Sequence, residues 1–449
     1  MKSESDAGPR PRLTARFMAL AERGIDRVGR LALQRSSWAL VDQAIVSGGT
    51  FIGNILLARA FAPSEYGTFA ILFGVLLGLQ LFNATLLFHP ISIQVINSPP
   101  QQTKVLLATS ITLTAIATVL LGLVLSVGLI AFGLGHLVIP SCVWFFFWQI
   151  QEGLRRGLLS QFRHRDACVG DAISYIGQAL AIIFLSVVGS LTLPNALWGM
   201  ALTSGLAAAL QWVQLAPRGF RRMPMRETVV DFWSVGGIWA LGSGLLTHFR
   251  MSIAPWLLAF TGGPAAAAGF QAAINLINLL NPLTMSVGNL VPTAVSQVKE
   301  QGLVAAWRTA WSYGVLALPP ILAYGLIVIA APGSLLSLLY GAQSSYVGLT
   351  LPVQLLMVSM VISYLGEIAI YYVHGLAAIR KAFFINVIAA VFALLFAIVM
   401  IDLYGLTGGC AALLLANIFR LMIAYFAIRP MLRDEPARAP DEPSVESTN

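Results

Sequence analysis

Residues 56–72 read LLARAFAPSEYGTFAIL, a small polar cluster between two long apolar runs. Pro63 cannot continue a helix and Gly67 permits a turn, so the stretch predicts one helix ending near Arg59 and another beginning after Pro63. Arg59 and Glu65 carry opposite charges on the two sides of this turn, and we expect them to meet at the level of the lipid headgroups. The stretch therefore predicts a tight turn between two membrane helices.

The composition of the whole chain supports a membrane location. Of its 449 residues, 57% are hydrophobic and 10% are charged, and the mean hydropathy is +0.80. A soluble domain holds about 25% charged residues, so most side chains here do not need water. The apolar runs lack an alternation of period two, which excludes a membrane barrel and leaves an all-α integral membrane protein.

The number of apolar runs predicts the architecture. A helix that crosses a bilayer needs about 20 mostly apolar residues. The sequence offers twelve such spans, at roughly 38–58, 67–96, 104–132, 137–160, 168–190, 195–215, 229–260, 264–293, 309–339, 349–376, 382–402 and 404–428.

The basic residues predict the orientation of these spans. Lys and Arg collect in cytoplasmic loops, and eight of them precede Trp38. With that tail in the cytoplasm, 24 of the 27 basic residues fall on the cytoplasmic side, and the exceptions are Arg59, Arg250 and Arg420. Both termini are therefore predicted to be cytoplasmic, in a multi-pass protein of the inner membrane. The net charge of +8 reflects this topology and not nucleic-acid binding.

A polar linker at residues 216–228 divides the twelve predicted spans into two sets of six. The predicted parts are a basic N-terminal segment (1–35), an N-lobe (36–215), a cytoplasmic linker (216–228), a C-lobe (229–430) and a disordered tail (431–449). Gly67 precedes Pro90 by 23 residues, and Gly269 precedes Pro292 by the same number. Six helices in each half predict two parallel repeats. The basic N-terminal segment either lies along an anionic leaflet or is a solvated tail.

The first-loop motif carries a family resemblance. An Ala-Arg pair ends the first helix and a Pro-x-Glu-Tyr-Gly turn opens the second, with residues Ala58, Arg59, Pro63, Glu65, Tyr66 and Gly67. The pattern resembles that of the polysaccharide transporter family, the oligosaccharide-lipid flippases of the multidrug/oligosaccharidyl-lipid/polysaccharide exporter superfamily. The resemblance covers about residues 36–430. It implies a substrate of the undecaprenyl diphosphate type, with membrane lipids and other polysaccharide-assembly proteins as partners.

A charged residue inside a membrane span has a high free-energy cost and usually faces a cavity or a partner. Arg250 lies about ten residues from the outer end of the seventh span. Because arginine matches phosphate geometry, we interpret Arg250 as a diphosphate contact in a central cavity between the lobes; a buried ion pair is the alternative. Arg155 and Arg156 share a helix face with Glu152. They either attract a lipid diphosphate at the inner mouth or form an intrahelical salt bridge with Glu152.

Other titratable residues are candidates for coupling or gating. Glu367 and His374 fall on one stripe of the tenth span, where a histidine can change charge near neutral pH. Asp42 lies inside the first span and either pairs with an arginine or takes part in coupling. His89 precedes Pro90, and a hydrogen-bonded histidine beside a kink is the simpler interpretation. Glu152 belongs to the same group of candidates.

The eighth span carries a stripe of amides. At 100° per residue, these side chains fall within an arc of about 120°; they are Gln271, Asn275, Asn278, Asn281 and Asn289. Neutral amides suit sugar hydroxyls and also suit interhelical hydrogen bonds. We predict that they line the cavity and contact the glycan.

Three classes of function compete. A membrane enzyme is excluded, because the predicted outer loops are short and no Walker A, H-E-x-x-H or G-x-S-x-G sequence occurs. The cysteines are isolated and no metal or cofactor site is predicted. The favoured function is a flippase that moves a lipid-diphosphate-linked oligosaccharide to the outer leaflet by alternating access. A gradient-driven drug or small-molecule exporter of the same fold is the alternative. Neither the glycan nor the coupling ion can be read from the sequence.

Overall fold

The computed structural model describes residue 38, residues 41–216 and residues 237–433, and every regular element in these ranges is helical. This confirms the predicted all-α class. The predicted basic segment 1–35, nearly all of the linker and the tail from residue 434 lie outside the described residues. We refer to residues 41–216 as the N-terminal half and to residues 237–433 as the C-terminal half.

The N-terminal half is a series of long helices with two π turns. Its helices are α1 (Val41–Ala60), α2 (Pro63–Asn83), α3 (His89–Asn97), α4 (Pro100–Ala131), α5 (Val138–Ser160), α6 (His164–Asp171), α7 (Gly177–Val187) and α8 (Leu193–Leu215). The π turns Ala84–Phe88 and Ala172–Ile176 join α2 to α3 and α6 to α7. Pro90 accounts for the first one, because its ring crowds a carbonyl of the preceding turn and widens it.

The C-terminal half contains more broken helices. They are α9 (Ile238–Gly262), α10 (Pro264–Asn278), α11 (Asn281–Val298), α12 (Leu303–Val315), α13 (Leu318–Ala330), α14 (Pro332–Tyr340), α15 (Thr350–Gly375) and α16 (Ile379–Arg433). Gly405 divides α16 into two arms, 379–404 and 406–433, because its backbone adopts φ 54° and ψ −129°. Glycine favours this positive φ.

Prolines mark where several helices begin. Pro63, Pro100 and Pro264 are the first residues of α2, α4 and α10, a position where the missing N–H costs nothing. Pro282 follows the first residue of α11. The span predicted as one helix over 264–293 is therefore broken at residues 279–280.

Seven of the described helices are long and apolar enough to cross a membrane. The pair α12 and α13, bent by 42°, would make eight if it crosses as one span. The count of twelve stays a prediction.

Packing differs within and between the halves. Inside the N-terminal half, α5 packs against α4 and α8; inside the C-terminal half, α16 packs against α9 and α15. The halves meet where α2 lies against α10 and α9, and α1 also reaches the C-terminal half through Gln43 and Arg59. Two neighbouring helices of the N-terminal half therefore contact the C-terminal half.

Candidate functional site

A buried charge cluster lies in the N-terminal half, where α1, α5 and α6 meet. Arg155 on α5 donates from Nη2 to Asp42 Oδ2 at 2.7 Å and from Nε to Asp171 Oδ2. Arg155 Nη1 also lies 3.3 Å from Glu152 Oε2, and Arg156 Nε donates to Glu152 Oε1 at 2.7 Å. We call these five residues the acidic cluster.

The acidic cluster carries excess negative charge. Its three carboxylates face two guanidinium groups, which gives a formal charge of −1. Asp171 is fully buried, and the buried Asp42 Oδ1 has no hydrogen-bond partner among the described residues. A buried carboxylate that lacks a counter-charge favours a proton or another cation.

A second charge cluster lies in the C-terminal half, where α9, α15 and both arms of α16 meet. Arg420 Nη1 donates to Glu367 Oε1 at 2.6 Å, and Arg250 Nη2 lies 4.0 Å from the same oxygen. Arg250 Nη1 donates to Asn417 Oδ1. Asn386 Oδ1 accepts from Arg420 Nε at 3.3 Å. We call these five residues the basic cluster.

The basic cluster carries excess positive charge, since two guanidinium groups share one carboxylate, for a formal charge of +1. Arg250 and Arg420 are each 1% exposed, and Arg250 Nε has no hydrogen-bond partner within the described ranges. The side chain of Glu367 is 24% exposed. In this conformation Arg250 is enclosed by protein, which is the geometry of the ion-pair alternative; its contact with a diphosphate in a cavity stays a prediction.

The two clusters occupy related positions in the chain. Glu367 follows Glu152 by 215 positions, and Asn386 follows Asp171 by the same number. Asn386 Nδ2 also donates to Ser243 Oγ at 2.8 Å. At this spacing, a neutral amide in the C-terminal half corresponds to one buried carboxylate of the N-terminal half. The candidates predicted from the sequence do not include four members of these clusters, although each lies inside a predicted span: Asp171, Asn386, Asn417 and Arg420.

The amide stripe is divided by the break between α10 and α11. Gln271 Nε2 donates to Asn275 Oδ1 at 2.9 Å, and Asn275 Nδ2 donates to Tyr66 Oη at 2.9 Å and to Tyr340 Oη at 3.2 Å. Asn275 is buried, Asn278 is half-buried, and Asn281 and Asn289 are exposed on α11. The prediction that these amides share one continuous helix face is wrong, because the helical period does not persist through the break between α10 and α11.

Neither the acidic cluster nor the basic cluster includes His89, His248 or His374. His374 is half-buried in the last turn of α15, and His89 is exposed at the start of α3. His248 bonds the carbonyl of Gly74 through Nε2 at 2.8 Å. Coupling or gating by His89 and His374 stays a prediction.

The first-loop motif makes contacts with both halves. Arg59 donates to the carbonyls of Leu338, at 2.8 Å, and Leu339. Glu65 Oε1 accepts from the backbone N–H of Leu193 at 2.8 Å. These bonds hold the C-terminal end of α14 and the start of α8, so the expected pairing of Arg59 with Glu65 is wrong.

No candidate metal site is found in the part of the chain that the structure describes. No group of three or more His, Cys, Asp or Glu residues in residues 38, 41–216 and 237–433 is placed to hold a metal ion.

Comparison with known proteins identifies the fold. No family model matches the sequence, and no curated protein matches it. Among solved structures, an inward-facing multidrug resistance MATE family transporter of the MOP superfamily superposes with a TM-score of 0.68 at 16% identity, over 87% of this chain and 95% of that one. The lipid II flippase MurJ, in an inward closed conformation, superposes with a TM-score of 0.67 at 14% identity, over 88% of this chain and 87% of that one. The Vibrio cholerae MATE transporter VcmN superposes with a TM-score of 0.61 at 14% identity, over 91% of this chain and 98% of that one.

These likenesses extend over most of both chains in each comparison. They agree with the fold that the first-loop motif implies. The chain has the helical fold of the MOP superfamily transporters.

Proposed function

We propose that this protein is a flippase that moves a lipid-diphosphate-linked oligosaccharide from the cytoplasmic to the outer leaflet of the inner membrane, for polysaccharide synthesis or export. In this proposal twelve helices form two six-helix lobes around a central cavity, and both termini are cytoplasmic. The lobes rock about the cavity to give alternating access. The observation that carries the proposal is the positive excess of the basic cluster.

The positive excess favours an anionic cargo. A buried guanidinium needs a counter-charge, and Arg250 and Arg420 have only Glu367 between them among the described residues. Diphosphate oxygens match the forked donors of arginine. Because Glu367 is the more accessible member of the cluster, we propose that it holds the arginines between transport cycles and that the cargo's diphosphate displaces it.

The glycan would contact neutral polar groups between the halves. Asn289 and Thr293 are exposed on α11, and Gln43 on α1 faces the same helix, with its Nε2 3.9 Å from Met285 Sδ. Ser47 accepts from Gln43 at 3.0 Å and continues the polar face of α1. Amides and hydroxyls of this kind can exchange partners among sugar hydroxyls without selecting one sugar.

A gradient-driven exporter of drugs or other small molecules is the second candidate. The acidic cluster favours it, because an excess buried carboxylate suits a cationic cargo or a coupling proton. Two of the similar solved structures are MATE transporters. Within the flippase proposal, the same cluster and Asp42 in particular supply the coupling.

The two functions differ in what accumulates when the gene is deleted. For a flippase, lipid extracts of the deletion strain should contain a diphosphate-linked oligosaccharide that stays on the cytoplasmic leaflet. For an exporter, glycans should be normal and the strain should become hypersensitive to drugs. Normal glycan lipids in the deletion strain would overturn the flippase proposal.

Arg250 provides the residue-level test. Arg250→Ala should abolish polysaccharide export. Arg250→Lys keeps the positive charge but loses the bidentate donor geometry of the guanidinium group, so it should restore only part of the export. Arg308→Ala, which removes an exposed arginine on α12, is the matched control and should export normally. Membrane abundance is measured in parallel. Normal export by an abundant Arg250→Ala protein would contradict the role of the basic cluster.

A further inference from the structure

The first-loop motif joins the two halves at one end of the bundle. Its Arg59 binds carbonyls at the C-terminal end of α14, and its Tyr66 accepts a hydrogen bond from Asn275 on α10. Tyr66 is fully buried, with its ring centroid 6.3 Å from that of Tyr346. Both α14 and α10 belong to the C-terminal half, so these contacts cross between the halves.

Glycines on α2 allow the halves to approach closely along this helix. A Cβ on Gly67 would lie 1.7 Å from the carbonyl oxygen of Pro264, and one on Gly78 would lie 3.1 Å from the ring of His248. A Cβ on Gly74, between them, would meet Trp256 Nε1 at an ordinary 3.5 Å. The tightest approach therefore falls within the motif itself, where any side chain would push α2 away from α10.

The chemistry of the contact between the halves differs from that inside them. Every ion pair between described residues joins two members of the same half. The bonds that cross near the motif end in neutral groups, namely the Tyr66 hydroxyl and the backbone carbonyls of Leu338, Leu339 and Gly74. Water can replace such partners when the halves part, whereas a buried ion pair is far harder to break because each charge would be left without its partner.

Glu65 has a different role from its neighbours in the motif. It accepts from the N–H of Leu193 at the start of α8, which belongs to its own half. A carboxylate at a helix N-terminus is stabilised by the unpaired N–H groups there. Glu65 thus ties the motif to the N-terminal half while Arg59, Tyr66 and Gly67 engage the other half.

We propose that residues 59–67 form a latch that closes the outer end of the transport path and that releases when the halves open outward. Arg59 and Tyr66 supply bonds that break and re-form, Gly67 supplies the close fit, and Glu65 anchors the latch. The assignment of this end as the outer one rests on the proposed function and its topology. The latch explains why the motif combines an arginine, a glutamate, a tyrosine and a glycine in nine residues.

The test follows the opening of this contact with a reporter thiol. Ser252 on α9 is nearly buried and lies 3.4 Å from His248 Nε2. Ser252→Cys is placed in a protein whose Cys142, Cys168 and Cys410 are each changed to alanine. Intact cells are treated with a membrane-impermeant maleimide, and the labelling rate is measured. With the latch intact, labelling should be slow.

Weakening the latch should raise labelling in proportion to the population of the open state. Tyr66→Phe, which removes one hydroxyl, should raise the rate about fivefold, the effect of one net hydrogen bond. Gly67→Ala should raise it roughly tenfold or more, because the added methyl overpacks the contact. Gly74→Ala is the matched control on the same helix and should leave the rate unchanged.

The outcomes separate the latch from the proposed cargo, because labelling requires no substrate. Unchanged labelling in abundant Tyr66→Phe and Gly67→Ala proteins would overturn the latch. An equal increase in Gly74→Ala would also overturn it, since the effect would then not depend on the close fit at Gly67. Faster labelling in a protein whose deletion leaves glycan lipids normal would support the latch and refute the flippase.

Discussion

At the scale of single residues, the two halves treat buried charge in opposite ways. Asp171 and Asp42 surround Arg155 in one half, whereas the neutral Asn386 bonds both Arg420 and Ser243 in the other. Three carboxylates face two guanidinium groups in the first cluster and one carboxylate faces two in the second, so the excess charge is negative in one half and positive in the other. The sign of the charge that each half attracts therefore depends on very few side chains.

This difference in charge predicts different costs for two substitutions in the acidic cluster. Asp171→Asn should change the free energy of unfolding by about 1 kcal/mol or less, because the amide can still accept from Arg155. Arg155→Met should lower it by about 3–5 kcal/mol, because it leaves buried carboxylates without a counter-charge. Thermal unfolding of the purified protein in detergent measures both. Equal losses would argue against an excess of negative charge in the cluster.

Sequence identifies these charged residues more easily than it pairs them. Glu152, Arg155, Arg250 and Glu367 stand out because their surroundings are apolar. Glu152 and Arg155 pair locally, as their spacing indicates, but the other partners lie on helices far away in the chain, as Asn417 does from Arg250, and no local pattern connects them. Arg420 is absent from the predicted candidates, although it carries the same signal as Arg250, a charge inside a predicted span.

At the scale of helices, glycine and proline decide where the chain bends. The arms of α16 meet in a close turn, where a Cβ on Gly408 would lie 1.8 Å from the carbonyl oxygen of Met400. Gly405 supplies the positive φ of the same turn. Two apolar helices can therefore follow one another directly, with no polar loop between them.

The turn in α16 should not tolerate a methyl group. Gly408→Ala should lower the free energy of unfolding by about 3 kcal/mol, because the methyl has no space. Gly128→Ala on α4, where nothing lies within 4 Å of the added atom, should raise it by about 0.5–1 kcal/mol, since alanine favours a helix over glycine. Fluorescence-detected thermal denaturation compares the two variants. A loss of the same size at both positions would contradict this account.

Helix boundaries follow from sequence where a proline or glycine sets them. The predicted boundary between 382–402 and 404–428 lies two residues before Gly405, and Pro63 begins α2 as the motif indicates. The π turn at Ala172–Ile176 contains neither a proline nor a glycine, and the glycines that flank it, Gly170 and Gly177, fit a regular helix equally well. The break before α11 is marked only by Pro282, which fits equally well as the second residue of a new helix or as a kink in one helix.

At the scale of the whole molecule, one half holds an excess negative charge and the other an excess positive charge. An anionic cargo that associates with the positive half would carry charge across the membrane as it is flipped. An inside-negative potential favours its outward movement by ~2.3 kcal/mol per charge per 100 mV. The potential can therefore drive transport without a nucleotide site.

This predicts a dependence of flipping on voltage. In proteoliposomes with a potassium diffusion potential set by valinomycin, a fluorescent lipid-diphosphate oligosaccharide should flip faster when the side it leaves is negative. A potential of about 100 mV should raise the rate markedly, given the energy per charge above. A potential of the opposite sign serves as the control and should slow it. Equal rates at both signs would mean that no net charge moves with the cargo.

The confinement of ion pairs to single halves has a consequence for how the protein is built. Each half forms its ion pairs internally, so the meeting surface only has to provide shape and weak polar bonds. Two polypeptides produced from separate genes, one ending and one beginning in the linker, would then carry everything needed to recognise each other. A gene fusion of two independently inserted bundles, or its reversal, requires little new chemistry at the junction.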